Sequence, residues 1–157
     1  VTRLPVPGEP APDAELVNQH GETVCLSALR GAAAALVFFP SAFSRVCTRE
    51  LADLQASGGQ FAAHGVRLLG ISTDSKYTLR AYAEAEGLTF DLLSDFWPHG
   101  AAAQAFGVFD AQAGSARRFT FFLDAEGVVS SVISSGPGEP RSAADYASAV
   151  ASLAGAA

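Results

Sequence analysis

Cysteine is scarce in this 157-residue chain, which carries only Cys25 and Cys47. Two cysteines are too few for a disulfide framework and fit a reducing compartment. Neither belongs to a Cys-x-x-Cys pair, and His20, His64 and His99 stand apart along the chain. The spacing of a zinc site is therefore missing, and no metal or cofactor is expected. Lysine is scarcer still: Lys76 is the only one, beside nine arginines, and the net charge is −6. A chain-wide basic footprint for nucleic acid or an anionic lipid surface is lacking. No apolar run reaches the length of a membrane span. No basic stretch precedes an apolar one at the N-terminal end, so a cytoplasmic protein with no membrane attachment is expected.

What is present is a large apolar share, 49% hydrophobic residues, in a length that suits one domain over residues 1–157. Pro5, Pro7, Pro10 and Pro12 make residues 1–12 an extended lead-in. Residues 14–17 and 22–26 flank Asn18-Gln19-His20-Gly21 and predict a hairpin, with Cys25 in its second arm. Ala33 to Phe39 is uninterruptedly apolar, as a central strand covered on both faces requires. Leu51, Leu54 and Phe61 then fall on one helical stripe, which Gly58-Gly59 kinks or ends early. Residues 66–71 predict the next strand. Asp74 or Ser75 caps a helix that carries Leu79, Tyr82 and Ala83 inward and closes near Gly87.

Strand, helix, strand, helix implies parallel pairing by crossovers. A decorating segment over 88–110 follows, with a short alanine-rich helix near 100–106 and a short strand at Val108-Phe109. Residues 119–123 and 128–133 flank Asp124-Ala125-Glu126-Gly127 as an antiparallel hairpin. A loop with Gly136-Pro137-Gly138 leads to a closing helix whose start is marked by Ser142 with Asp145. Ala143, Tyr146, Val150 and Leu153 form its stripe. The pattern predicts an α/β fold, a thioredoxin-like sandwich with an added N-terminal hairpin.

The chemistry concentrates between Pro40 and Glu50. An apolar run ends at Pro40, a short loop follows, and a helical period begins near Cys47. The N–H groups of a helical first turn lack intrahelical partners, and the dipole there favours negative charge on a sulfur. Ser44 puts a hydroxyl three residues before that sulfur. Cys25, in an alternating strand, reads instead as a half-buried structural thiol, with a resolving cysteine as the alternative.

The skeleton Pro40-x-x-x-Ser44-x-x-Cys47 inside a thioredoxin-like pattern resembles the peroxiredoxins, which reduce hydroperoxides at a cysteine. Ser44 stands where threonine is more usual, and Glu50 follows at the family's spacing. Residues 92–100, with Gly107-Val108-Phe109 and Gln112-Ala113-Gly114, resemble the alkyl hydroperoxide reductase E group, a one-cysteine type described in actinobacteria. The likeness covers nearly the whole chain and makes the 88–110 segment a peroxiredoxin-type insertion.

That resemblance implies a peroxidase whose Cys47 becomes a sulfenic acid. The substrates it implies are hydrogen peroxide, organic hydroperoxides and peroxynitrite. It assigns Ser44, Arg118 and N–H groups near Val46 to the peroxide, Pro40 to the pocket wall and Glu50 to orienting the arginine. Arg118 takes that place because it lies just before the late strand. Arg117, its neighbour, would point the other way if the strand has begun, and reads as a solvated charge. Arg45 and Arg49 depart from the group's pattern and read as solvated too. His99 reads as a loop cap or interface residue. No cysteine follows Cys47, so an external thiol is implied: mycothiol with a mycoredoxin, a glutaredoxin-like protein or thioredoxin. A homodimer is expected, with Phe43, Phe96 and Trp97 as contacts. Three other readings stand beside this one: a thiol–disulfide oxidoreductase on the same fold, which would want a cysteine where Ser44 stands, an atypical two-cysteine peroxidase using Cys25, and a non-enzymatic redox sensor.

Overall fold

The computed structural model describes residues 3–136 and 138–155. Pro137 in the expected loop and the first two residues of the lead-in lie outside them. The chain runs β1 (Glu15–Asn18), β2 (Thr23–Cys25), β3 (Ala33–Phe38), α1 (Arg45–Ala56), α2 (Gly58–Ala63), β4 (Val66–Ser72) and α3 (Lys76–Glu86). It continues β5 (Asp91–Ser94), α4 (Ala101–Ala105), β6 (Phe109–Asp110), β7 (Ser115–Ala116), β8 (Phe119–Leu123), β9 (Val129–Ser134) and α5 (Ala143–Gly155). Seven strands form one mixed sheet in the order β2-β1-β5-β4-β3-β8-β9. β3, β4 and β5 are parallel, and the outer strands pair antiparallel. This is a thioredoxin-like α/β arrangement.

β3 is central because its residues are apolar on both faces. Ala35, Val37 and Phe39 join Leu51, Leu54, Phe61, Leu79, Tyr82 and Tyr146 on one side of the sheet. Ala34, Leu36 and Phe38 join Leu16, Ala102, Phe106, Phe121 and Val129 on the other. Phe38, Phe106 and Phe121 pack with ring centroids 5.0–5.9 Å apart. Each such pair adds about 0.5–1.5 kcal/mol beyond its area burial.

The region 88–110 contributes more to the sheet than its sequence pattern predicts. Asp91–Ser94 is β5, a third parallel strand between β4 and β1, and through it the N-terminal hairpin joins the main sheet. Asp95, just beyond β5, accepts the N–H groups of Ala102 (2.8 Å) and Ala103 (2.9 Å) and so fixes α4. Phe109 packs against Gly100, whose left-handed φ of 70° and lack of a side chain leave room for the ring.

The stripe carrying Leu51, Leu54 and Phe61 is broken at Ser57 into α1 and α2. Ser75, not Asp74, caps α3 by accepting the Thr78 N–H at 3.2 Å, and Gly87 closes it in the left-handed conformation. The lead-in is extended and docked: Gly8 N–H donates to Val129 O at 2.9 Å and Ala11 N–H to Gly127 O at 3.0 Å. No helix among the described residues is long and apolar enough to cross a membrane.

Candidate active site

Loops leave the carboxyl ends of β3, β4 and β5 at one edge of the sheet, the place where open α/β sheets hold ligands. Asp74, after β4, ties these loops together. Its carboxylate accepts the Ala42 N–H at 2.8 Å and the Ser72 hydroxyl at 2.7 Å. Its carbonyl accepts the Ser94 hydroxyl at 2.6 Å. Ala42 precedes Phe43, which holds a left-handed φ of 65° and packs edge-on against Tyr82. A non-glycine residue there costs about 1–2 kcal/mol. The Asp74 bond and the Tyr82 contact hold the strained loop in place.

That loop delivers Ser44 to the N-cap position of α1. Ser44 does not cap: its hydroxyl donates to Ser41 O at 2.8 Å. The first helical bond runs from Thr48 N–H to Ser44 O at 2.9 Å. The N–H groups of Arg45, Val46 and Cys47 come before it and have no partner within the helix. Cys47 lies fully buried in this first turn. Ser44, Cys47 and Glu50 are spaced by three, so they share one helical face.

Glu50 is 3% exposed and organises two arginines. Its Oε1 accepts from Arg118 at 3.2 Å and from Arg141 at 2.6 Å. Its Oε2 accepts the Arg141 backbone N–H at 2.6 Å and the Arg141 Nε–H at 3.0 Å. Arg141 also donates to Phe38 O (2.7 Å) and Thr120 Oγ1 (3.1 Å). Burial alone would raise the Glu50 carboxyl, but the bonds and charge of Arg141, with help from Arg118, hold it below the usual range. Burial works against the Arg141 guanidinium. Its hydrogen bonds to Glu50, together with the charges of Tyr146, Glu50 and Cys47, outweigh burial and raise Arg141. On the far side of α1, Tyr82 donates to Thr48 at 3.1 Å, and burial pushes its phenol up to about 12.

Arg118 is buried, yet its Nε–H has no acceptor among the described residues. An unpaired buried donor costs about 1–3 kcal/mol. Arg118 faces a cleft of about 390 Å³ that Pro40, Ser44, Ala116 and Phe119 also line. Three residues singled out in the sequence, Pro40, Ser44 and Arg118, thus meet at one cleft, with Cys47 one helical turn from Ser44. Val46 is half-buried in the same turn, and Arg45 and Arg49 are exposed. A smaller cavity of about 90 Å³ lies between α1, α2 and α5, behind Glu50 and Arg141. Ser44 and Arg118 do not line it.

Strand β8 begins at Phe119, where the sequence puts it, so Arg117 precedes the strand; exposed as expected, it lines the same cleft as Arg118. Arg141 went unrecognised: a lone arginine between Pro140 and Ser142 carries no local signal of burial. The one available hint is the preference for arginine over lysine, since a planar fork suits bidentate pairing with a carboxylate. His99 contacts Phe96 O (3.2 Å) and Gly114 O (2.7 Å), linking two loops away from the sulfur. Phe43, Phe96 and Trp97 are 54%, 51% and 83% exposed.

The profile of the AhpC/TSA family matches residues 7–132. Alkyl hydroperoxide reductase E of Mycobacterium tuberculosis is 42% identical over 147 residues, covering 93% of this chain and 96% of the relative. Peroxiredoxin Bcp of Bacillus subtilis is 36% identical over 126 residues, covering 76% of this chain and 79% of its own. Among solved structures, peroxidoxin BcpB from Mycobacterium tuberculosis superposes with a TM-score of 0.84 at 32% identity, over 95% of this chain and 96% of that one.

Proposed function

This chain belongs to the AhpC/TSA family and is a peroxiredoxin, a peroxidase of the oxidoreductase class, and from that premise we propose that Cys47 is the residue that reduces the peroxide. The Cys47 thiolate attacks one peroxide oxygen. A sulfur–oxygen bond forms, the O–O bond breaks, and Cys47 is oxidised to a sulfenic acid. The other oxygen leaves with the bonding pair and takes a proton, giving water or an alcohol.

The observation that carries this reading is the set of unfilled donors at the first turn of α1 and at the adjoining cleft. Arg118 Nε–H is buried without an acceptor, and the Val46 and Cys47 N–H groups sit above the first helical bond. Donors fixed before the reaction stabilise charge as it moves onto the leaving oxygen, without reorganisation at that moment. Ser44 gives up its contact with Ser41 O, or shares it, to reach the peroxide. Pro40 limits water at the cleft wall. Glu50 and Arg141 act through Arg118: they hold its guanidinium at the cleft.

Recycling is by an external thiol. One thiol displaces the sulfenic oxygen as water and forms a mixed disulfide at Cys47. A second thiol releases Cys47 and leaves as the external disulfide. Mycothiol with a mycoredoxin, a glutaredoxin-like protein and thioredoxin are the candidate reductants. Cys25 is badly placed to substitute. β2 lies four strand spacings from β3 in the sheet order, about 19 Å. A disulfide needs Cα atoms within about 7 Å. The exposed Phe43, Phe96 and Trp97 lie on loops at the same sheet edge and form the contact of a homodimer in this reading.

The test is stopped-flow mixing of reduced protein with hydrogen peroxide and tert-butyl hydroperoxide, followed by dimedone trapping and peptide mass mapping. Dimedone on Cys47 after one equivalent is expected. A stoichiometric Cys25–Cys47 disulfide would replace this reading with the two-cysteine one. Oxidation without turnover, when small thiols and thioredoxin-type proteins are supplied, would favour a redox sensor.

A further inference from the structure

The cleft lined by Ser44 and Arg118 is much larger than hydrogen peroxide requires. It encloses about 390 Å³, whereas a water molecule takes roughly 30 Å³ in the liquid. Its walls include the apolar Pro40, Ala113, Ala116 and Phe119. Two cations stand in it, and their commitments differ. Arg118 is buried and bound to Glu50. Arg117 is exposed, and its side chain makes no hydrogen bond or ion pair among the described residues.

The Arg117 backbone, by contrast, is pinned. Its N–H donates to Val108 O at 2.8 Å, and its carbonyl accepts the Phe119 N–H at 3.0 Å. The tight turn closed by that second bond is why Arg117 reaches the same cleft as Arg118 and escapes strand alternation. Asp110 is the one acidic residue of the cleft wall among the described residues. Its Oδ1 is engaged by the Gln112 and Ala113 N–H groups at 3.0 and 3.2 Å. In a chain of net charge −6, an unpaired guanidinium held at the mouth of the reactive cleft is conspicuous. Neither hydrogen peroxide nor a simple alkyl hydroperoxide offers it a partner of opposite charge.

Resting on the peroxidase reading above, we propose that Arg117 is an anion-recognition residue of this cleft. It binds a carboxylate whose hydrocarbon part lies against Pro40, Ala116 and Phe119. The forked guanidinium matches a carboxylate in two parallel hydrogen bonds. The carboxylate arrives either on the hydroperoxide that oxidises Cys47 or on the thiol that reduces it. Arg117 thus selects the ligand, and Arg118 serves the reacting oxygens.

The experiment compares acids with their methyl esters, which differ in the one charge. Wild type, Arg117→Ala and Arg117→Lys are oxidised by ω-hydroperoxyhexanoate and by its methyl ester in stopped flow. The oxidised proteins are then reduced with mercaptopropionate and with its methyl ester. Each acid-to-ester ratio is taken within one variant, so general losses cancel. The wild type should prefer the acid by about fivefold to tenfold in one half-reaction, the scale of a charge-assisted pair at a partly open site. The preference should vanish in Arg117→Ala, persist in part in Arg117→Lys, and shrink in high salt. Preference in the first half-reaction puts the carboxylate on the hydroperoxide; preference in the second puts it on the thiol. Equal ratios in wild type and Arg117→Ala for both half-reactions would overturn the proposal.

A separate arm needs no peroxidase chemistry. Hexanoate should protect Cys47 from iodoacetamide better than hexanamide does, and Arg117→Ala should abolish the difference. Protection without oxidation by any peroxide would sink the peroxidase reading and leave the anion site standing. Absence of differential protection, with peroxide reduction intact, would remove the anion site alone.

Discussion

Cys47 is fully buried at the start of α1, one turn from Ser44, which lines a cleft with Arg117 and Arg118, and one turn from Glu50, which pairs with Arg141. Cys25 is half-exposed on the edge strand β2, with the Glu15 carboxylate 3.8 Å from its sulfur. Burial, followed by the Glu15 and Asp13 charges, pushes the Cys25 thiol up. The two residues differ in nothing but their surroundings. Unpaired first-turn N–H groups and the Arg141 charge lie near one sulfur, and the Glu15 and Asp13 carboxylates near the other. Exposure alone would have pointed to Cys25. The free N–H donors of a helix start favour Cys47.

The strongest way to break this contrast is to remove each sulfur in turn. Cys47→Ser should abolish peroxide reduction, and Cys25→Ser should leave its rate within about twofold in stopped flow. Loss of turnover in Cys25→Ser would end the comparison in favour of an intramolecular disulfide.

Removing the donor set comes next. Arg118→Ala should slow oxidation of Cys47 by about a hundredfold, the usual scale for losing one preorganised donor. The loss should persist at a pH where both variants are fully thiolate. Recovery of the wild-type rate there would confine Arg118 to ionisation.

The network behind Arg118 is tested by stability. Glu50→Gln removes the charge that faces two buried guanidinium groups. Breaking a buried pair costs about 3–5 kcal/mol, or roughly 10 °C in Tm at this chain length. The pH dependence has a definite sign. The folded Glu50 carboxyl lies below its ordinary value, so its stabilisation is complete above the unfolded glutamate range, near pH 4.3. It is lost progressively as pH falls further, through the lowered folded value. Thermal melts from pH 6 down to pH 3 should show a steeper loss in wild type than in Glu50→Gln. Parallel profiles would mean that Glu50 does not titrate with folding.

The smallest effect sharpens the other side of the contrast. Glu15→Gln removes one of the charges that raise the Cys25 thiol, and iodoacetamide labelling of Cys25 at neutral pH should rise about twofold. An unchanged rate would leave burial and the Asp13 charge as the causes.

Much of the site could be read along the chain, because its signals are local. Pro40, Ser44, Cys47 and Glu50 fall within eleven residues, and the helical period alone puts the last three on one face. The Ala33–Phe39 run, the Gly87 cap and the hairpin around residues 124–127 are also short-range patterns, and the structure contains each of them. The sequence determined where Cys47 sits in its element and which element is central.

The tertiary structure decided the rest. Asp91–Ser94 has too little alternation to announce a strand and becomes one by pairing with β4 and β1. Asp74 looks like a helix cap, yet its carboxylate goes to Ala42, thirty-two positions away. Arg141 looks like a surface charge. Its partners, Glu50 and Phe38, lie ninety-one and one hundred and three positions earlier. Arg117 enters the cleft because it sits in the turn before β8, where strand alternation does not apply. In each case the deciding partner is far along the chain or in a turn with no periodic signature. A polar side chain's role follows from which donor or acceptor the fold brings to it, and local propensity carries no record of that.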